Sequence, residues 1–457
     1  MLSSTVAALS TAPGKAGVAL IRISGAQTLS ILKKIFYSPK SPRPVTAYPP
    51  RVAQYGRIMD GDRVLDDVLV TYFAAGASYT GEDVAEISCH GGVVVSRMIL
   101  ELVLKNGANM AGPGEFTRRA FVAGRMSLTE VEGVGRLLEA QTPQAALLAS
   151  QTARGVLSDK IQELYRSLLT PVSSLYACID YPEEDMEEIT DGQLKSSVEA
   201  TRAQIRALLA TRSTGLAVMD GVPTVIVGRP NVGKSTLFNA ILGQEKAIVT
   251  DRAGTTRDLL EYPARAGRLL LRLMDTAGIR ENSPDPIEQM GIDRALAQLE
   301  NAQGAVLALF DASLPAQPDD YRLLERLSAC PVPVIYLLTK CDLPQALEES
   351  FLQALPRPIR CRAGQVPPEL VERLEQAFIR DDRALEEGLV LTDLRQADQL
   401  QSAERALTQA LEALEAGLKD ACGALLEEAL AALEGTDGRG VSQAIVNDIF
   451  SRFCVGK

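Results

Sequence analysis

The run Gly228-Arg229-Pro230-Asn231-Val232-Gly233-Lys234-Ser235 has residue types and spacing that can hold phosphate. It follows the strand-like Thr224-Val225-Ile226-Val227 and precedes a helix-like stretch from Thr236 to Leu242. Its glycines let main-chain N–H groups turn inward and cradle phosphate oxygens. Lys234 supplies charge for the outer phosphates, and the Ser235 hydroxyl is a magnesium ligand by type. A bare glycine turn is the plainer alternative, but it does not require this strand before and this helix after.

A phosphate loop does not choose a base. Three later features do. Asp275-Thr276-Ala277-Gly278 ends a strand, where a carboxylate can support the magnesium shell and a glycine can swing towards a γ-phosphate. Thr250-Asp251-Arg252-Ala253-Gly254-Thr255-Thr256 opens a polar loop in which Thr256 can close over magnesium when the γ-phosphate is present. Thr339-Lys340-Cys341-Asp342 ends another strand. Asp342 can accept from the ring N–H and exocyclic amine of guanine. Adenine offers neither donor there and leaves the carboxylate unpaired, at about 1–3 kcal/mol. The order of these motifs points to a GTPase rather than a nucleotide kinase or ATPase. Two residues depart from the usual pattern. Ile279 follows Gly278 where a water-orienting glutamine often stands, and Thr339 replaces the asparagine that usually opens the guanine motif. A hydroxyl cannot reproduce the two-ended bonding of an amide, so weaker but still guanine-selective binding is expected.

These motifs need a scaffold, and 457 residues are enough for several domains. The 46% hydrophobic and 23% charged shares are those of an ordinary globular chain. Residues 1–120 read as an α+β domain, with strands at Val18–Ile23 and Val68–Phe73 and a helix from Val93 to Leu104. Residues 121–215 read as helical, with Leu137, Leu138, Leu148, Ile161, Leu164 and Leu168 at helical steps. Residues 216–378 alternate short strands and helices, as in a mostly parallel sheet. Residues 379–457 return to helix, with Leu400, Leu407, Leu411, Leu414 and Leu418 on one face. The expected architecture is an α+β N-terminal domain and a helical domain into which the P-loop domain is inserted.

Composition excludes other classes. A single histidine, His90, rules out His-rich metal sites and disfavours Ser-His or Cys-His hydrolysis. Seven scattered cysteines fit a reducing cytoplasm better than a disulfide framework. The start from Met1 to Gly25 reads as a first strand, not a signal peptide, and no apolar run approaches the ~20 residues needed to span a bilayer. A net charge of −11 argues against gripping nucleic acid without a basic partner.

Taken together, the chain resembles the MnmE (TrmE) family of tRNA uridine-modification GTPases. The resemblance rests on Ala12-Pro13-Gly14-Lys15-Ala16-Gly17-Val18, Tyr79-Thr80-Gly81-Glu82-Asp83, His90-Gly91-Gly92 and Pro113-Gly114-Glu115-Phe116-Thr117. It also rests on the GTPase motifs and on the terminal Phe453-Cys454-Val455-Gly456-Lys457. The resemblance implies a homodimer formed through the N-terminal domain, a bound 5,10-methylene- or 5-formyl-tetrahydrofolate, and an FAD-containing partner, MnmG, in a heterotetramer. It further implies tRNA as the substrate reached through that complex. The product would carry an aminomethyl or carboxymethylaminomethyl group on carbon five of the wobble uridine.

Carried over position by position, folate contacts fall on Arg22, Glu86, Arg125 and Lys457. Their charges suit glutamyl carboxylates and an amino-pterin edge. The family usually has Lys where Arg125 stands, and the plainer alternative for Arg22 and Glu86 is a salt bridge within the domain. A potassium site falls on Asn231, Thr250, Arg252 and Thr255, and the magnesium ligands on Ser235 and Thr256. Glu288 matches a water-orienting glutamate, with a surface glutamate as its alternative. Cys454 is either a catalytic thiol or a residue that shapes the folate pocket, and His90 reads best as a turn histidine. Ala363, in a divergent Cys361-Arg362-Ala363, is expected to keep a main-chain contact to guanine. The competing functional classes are a non-catalytic RNA-associated GTPase switch and a scaffold that hydrolyses GTP poorly.

Overall fold

The computed structural model describes residues 4–39, 49–180, 190–244, 261–274, 304–438 and 443–457. These residues divide into two compact units. One joins Met1–Gly135 with Asp437–Lys457, and the other is Arg136–Thr436.

The first unit is built on a sheet of β1 (Val6–Leu9), β2 (Val18–Ser24), β3 (Phe36–Tyr37), β4 (Ala53–Asp60), β5 (Arg63–Phe73), β6 (Val84–His90) and β7 (Asn109–Met110). Their spatial order is β3-β4-β5-β6-β2-β1-β7. All neighbours run antiparallel except β1 and β7. Alternation along β2 explains its placement. Ala19, Ile21 and Ile23 are buried in one core with Ile87, Val70, and Ile31, Leu32 and Ile99 from the helices Thr28–Ile35 and Val93–Lys105. The alternate position Arg22 therefore faces the other side, directly across from Glu86 of β6. Register alone makes those two residues neighbours.

The second unit holds β8 (Val222–Val227), β9 (Glu261–Ala266), β10 (Leu269–Met274), β11 (Ala305–Asp311), β12 (Val334–Thr339) and β13 (Ile359–Arg360), in the order β13-β12-β11-β8-β10-β9. Only the β9–β10 pairing is antiparallel. β8 and β11 are buried along their whole length, as expected of central strands covered on both faces. The helices Val156–Asp180, Asp191–Ala210, Leu394–Glu415 and Lys419–Thr436 share a separate core that includes Leu164, Leu168, Leu400, Leu407, Leu411, Leu426 and Leu433.

Two expectations meet a different arrangement. Leu418 is exposed, because Gly417 ends the helical face after Leu414. Leu137 and Leu138 are also exposed, although they keep helical spacing. The last segment, Asp437–Lys457, lies in the same compact unit as Met1–Gly135. Val446 and Phe450 of helix Gln443–Ser451 pack against Leu128 and Val131. Apolar spacing shows that a helix has a buried face, but it does not show which core receives it.

Candidate functional site

The loop after β8 leads into helix Lys234–Gln244. Gly228 has φ +153, and a side-chain carbon there would lie 2.7 Å from the Leu309 carbonyl oxygen. The loop thus leaves the sheet edge too close to β11 for any residue with a Cβ. Asn231 is left-handed at φ 59 and exposed. Lys234 donates from Nζ to the carbonyl oxygens of Gly228, at 2.8 Å, and Arg229, at 3.0 Å. The ammonium therefore already lies folded over the loop. Ser235 is half-buried in the first turn of the helix, and Thr236 is exposed beside it. A salt bridge at 2.7 Å from Arg229 Nε to the buried carboxylate of Asp320 fixes the loop from outside.

The guanine-motif candidate sits at the end of β12. Thr339 is buried, and its Oγ1 lies 2.7 Å from the Val232 carbonyl oxygen and 3.2 Å from that of Phe310. Lys340 is left-handed at φ 55 and donates to Asp311 Oδ2 at 2.6 Å. Burial works against the charge of Asp311, but the Lys340 ammonium and two donors from Ser313 outweigh it and hold the carboxyl below the ordinary range. Asp342 is exposed two residues further on. The neighbouring loop is bound to this one through Cys341 N to the Cys361 carbonyl, at 3.3 Å. A cleft of about 440 Å³, counting solvent space at its mouth, is lined by Val232, Gly233, Thr236, Thr339, Lys340, Ala363 and their neighbours. Phosphate loop, guanine motif and Ala363 thus share one cavity, although Asp342 is not among its lining residues. Thr250, Asp251, Arg252, Ala253, Gly254, Thr255, Thr256, Asp275, Thr276, Ala277, Gly278 and Glu288 lie outside the described residues.

In the first unit, Arg22 donates from Nε and Nη2 to Glu86 Oε1, at 3.0 and 2.8 Å. Its guanidinium lies over the rings of Phe116 and Tyr79, 5.5 and 5.9 Å from their centroids. Burial raises the Tyr79 hydroxyl above its ordinary value, while a hydrogen bond to Thr117 and the Arg22 charge work the other way. The loop that carries Tyr79 also meets Arg125, whose Nη1 donates to the Gly76 carbonyl at 2.7 Å. The tail completes the group. Phe116 N donates to the Lys457 main-chain oxygen at 3.0 Å, Val455 bridges Pro113, and Ser10 Oγ donates to the Gly456 carbonyl at 2.9 Å. Arg22, Arg125 and Lys457 are each tied to the Gly76–Tyr79 loop or to Phe116, and Glu86 joins them only through Arg22. The Cys454 thiol is exposed, and its main-chain oxygen accepts from Gly114 N at 3.2 Å. His90 is exposed at the end of β6, with Nδ1 2.6 Å from Asp66 Oδ1.

The profile described as the N-terminus of the GTP-binding protein TrmE matches residues 5–125, and that of the MnmE helical domain matches residues 128–454. Among curated relatives, the tRNA modification GTPase MnmE of Clostridioides difficile strain 630 is 37% identical over 462 residues, spanning 100% of both chains. That of Thermoanaerobacter sp. strain X514 is 36% identical over 465 residues, again spanning 100% of both. The chain belongs to the MnmE family of tRNA modification GTPases. A third MnmE, from Thermotoga maritima, is 35% identical across 99% of this chain and 100% of its own. Among solved structures, a single-residue variant of Aquifex aeolicus Era bound to GDP and AlF4⁻ is 26% identical, with a TM-score of 0.26 over 40% of this chain and 66% of that one.

Against the MnmE family pattern, sequence reasoning overlooked the residues that hold the candidates in place. Arg119 is buried and bonded to both oxygens of Glu82, at 3.1 and 2.9 Å, and to Glu115. Ser24 joins Thr80 and Glu82 to β2. Asp311 and Asp320 do the same for Lys340 and Arg229. Glu82 and Glu115 stand inside the family motifs, so their positions were visible. Their common partner Arg119 was not. Among the described residues, no helix is long and apolar enough to cross a membrane, and no group of three or more His, Cys, Asp or Glu residues could hold a metal ion.

Proposed function

We propose that this MnmE-family chain hydrolyses GTP to drive modification of carbon five of the wobble uridine in tRNA. The modification uses a one-carbon unit from tetrahydrofolate and proceeds with the FAD-containing MnmG. The observation that carries this reading is the shared cleft, in which phosphate loop, guanine motif and Ala363 loop converge. Lys234 already lies against loop carbonyls, so an entering triphosphate needs only to exchange those acceptors for phosphate oxygens. Ser235 and Thr256 hold magnesium. Asn231, Thr250, Arg252 and Thr255 would hold potassium, which would supply positive charge to offset the negative charge developing on the phosphates. Thr250–Thr256 closes on the triphosphate together with Asp275–Gly278, and Glu288 orients the attacking water. Asp342 reads guanine.

In the N-terminal unit, Arg22, Glu86, Arg125 and Lys457 bind folate. The contacts of Arg22 with Tyr79 and Phe116, of Lys457 with Phe116 and of Arg125 with Gly76 support that reading. Cys454 shapes this pocket from the tail. The chain dimerises through the N-terminal unit and acts in the cytoplasm as a heterotetramer with MnmG, whose surface meets the tRNA that a net charge of −11 disfavours. Deleting the gene and analysing the nucleosides of bulk tRNA tests the reading. Loss of the modified wobble uridines is expected, and an unchanged nucleoside profile overturns it. Binding of 5-formyl-tetrahydrofolate to the full chain separates this reading from a folate-independent RNA switch.

A further inference from the structure

Thr339 occupies the position from which a side-chain amide ordinarily joins the guanine motif to its surroundings, and the structure shows what its hydroxyl does there. Oγ1 has a single hydrogen. The acceptors within reach are two main-chain carbonyls, Val232 at 2.7 Å and Phe310 at 3.2 Å. Val232 belongs to the phosphate loop, and Phe310 to β11. Whichever carbonyl takes the hydrogen, none is left for a ligand. The residue is 7% exposed, and its methyl carbon lies 3.8 Å from the place where a Cβ on Gly233 would stand. Residue 339 therefore offers the cleft a methyl group and no donor.

The neighbouring contacts repeat the theme. The Thr339 carbonyl accepts from Ala312 N at 3.1 Å, and Cys361 N donates to Leu338 O at 2.7 Å. The end of β12 is thus bound to the phosphate loop on one side, to β11 and its following turn on another, and to the Ala363 loop on the third. The link to Val232 is the only one of these that joins the base end of the cleft to the phosphate end.

We infer that Thr339 is a positioning residue and not a base ligand: it is a strut that fixes the phosphate loop against the base loop. Selectivity for guanine then falls to Asp342 and to main-chain donors facing O6, with N7 left unbonded. This rests on the GTP reading proposed above. Its consequence is specific. Guanine presents N7 and O6 as acceptors on one edge. Without a side-chain donor from residue 339, replacing N7 by carbon removes no bond to that residue. Removing the hydroxyl, in turn, loosens the whole cleft and weakens every guanine nucleotide by the same factor.

The test uses the full-length chain and isothermal titration with GDP and 7-deaza-GDP. The unaltered protein is expected to bind the two within about twofold. Thr339→Val keeps the shape and removes the hydroxyl. It is expected to weaken both ligands about five- to tenfold, with their ratio unchanged, as loss of one hydrogen bond implies. Thr339→Ser restores the hydroxyl and is expected to bring affinity back to within about twofold of the unaltered chain. A fivefold or greater loss with 7-deaza-GDP in the unaltered protein overturns the inference even if Thr339→Val fails to fold. So does a Thr339→Val effect that differs between the two ligands, or full affinity in that variant. Absence of GDP binding in the unaltered chain overturns the GTP reading itself, which is a different result.

Discussion

Phe116 and Lys457 are joined main chain to main chain, with the Phe116 N–H donating to the Lys457 oxygen at 3.0 Å. The same Phe116 ring lies beneath the Arg22 guanidinium. Through one buried aromatic residue, the tail is therefore coupled to the charged pair on the N-terminal sheet. The packing leaves no slack at Gly456, where φ is +102 and an added Cβ would stand 2.4 Å from the Leu9 carbonyl oxygen. Backbone, not a flexible side chain, blocks the space. Gly456→Ala is expected to lift the tail off the sheet and lower affinity for 5-formyl-tetrahydrofolate at least tenfold, while trypsin cleavage after Arg452 accelerates. Unchanged affinity and unchanged cleavage would remove the tail from the site.

The Lys340–Asp311 pair gives a pH signature. Asp311 is almost wholly buried and titrates below its ordinary value of 3.8. A depressed carboxylate stabilises the fold fully above its unfolded value, and that contribution fades as pH falls through the folded one. Lys340→Met is expected to destabilise the chain by about 2 kcal/mol near neutrality. The gap to the unaltered protein should close below pH 3.8. Denaturant midpoints measured across pH check this, and a gap independent of pH contradicts it.

Base selection has its own variant. Asp342→Asn exchanges an acceptor for a donor, so guanosine triphosphate should weaken at least tenfold and xanthosine triphosphate should gain. Competition binding reads both. If GTP affinity stays the same, some other group recognises the base.

Much of this arrangement was legible in the sequence, because the strongest signals are local. The phosphate loop needs only its own glycines, its preceding strand and its following helix, and β8 and helix Lys234–Gln244 stand at those positions. Strand alternation likewise set Arg22 apart from Ile21 and Ile23, which are buried. The supports were not legible. Asp320 reaches Arg229 from a distant helix, and Arg119, in helix Glu115–Val122, reaches Glu82 in the turn before β6, so nothing in local spacing announces either pair. The packing partners of the tail were not legible for the same reason. Helix Gln443–Ser451 has an apolar face that fits any helical core, and only three-dimensional packing assigns it to Leu128 and Val131.

Asn231 combines an exposed side chain with a left-handed backbone in the phosphate loop. That conformation carries strain for a residue with a Cβ, and strain of this kind clusters where a ligand is held. GTP hydrolysis is expected to run at least tenfold faster in potassium than in sodium. Asn231→Ala should abolish the difference and leave the sodium rate in place. Equal rates in the two salts for the unaltered chain would eliminate the potassium site.

Arg22 and Glu86 can be a structural ion pair or a ligand pair, and energetics separates the two. Their side chains are 18% and 25% exposed, so the pair is partly buried. Both Arg22 bonds fall on Oε1 of Glu86. Among the described residues, Oε2 makes no hydrogen bond, so one carboxylate oxygen remains for the amino donors of a pterin edge. Glu86→Gln keeps an acceptor for Arg22, but its second position is an amide NH2 that faces those donors with hydrogens of its own. The expected outcome is a stability change below about 1 kcal/mol together with at least a tenfold loss of 5-formyl-tetrahydrofolate affinity. A variant that unfolds more easily yet binds folate as before would show that the pair serves the sheet alone.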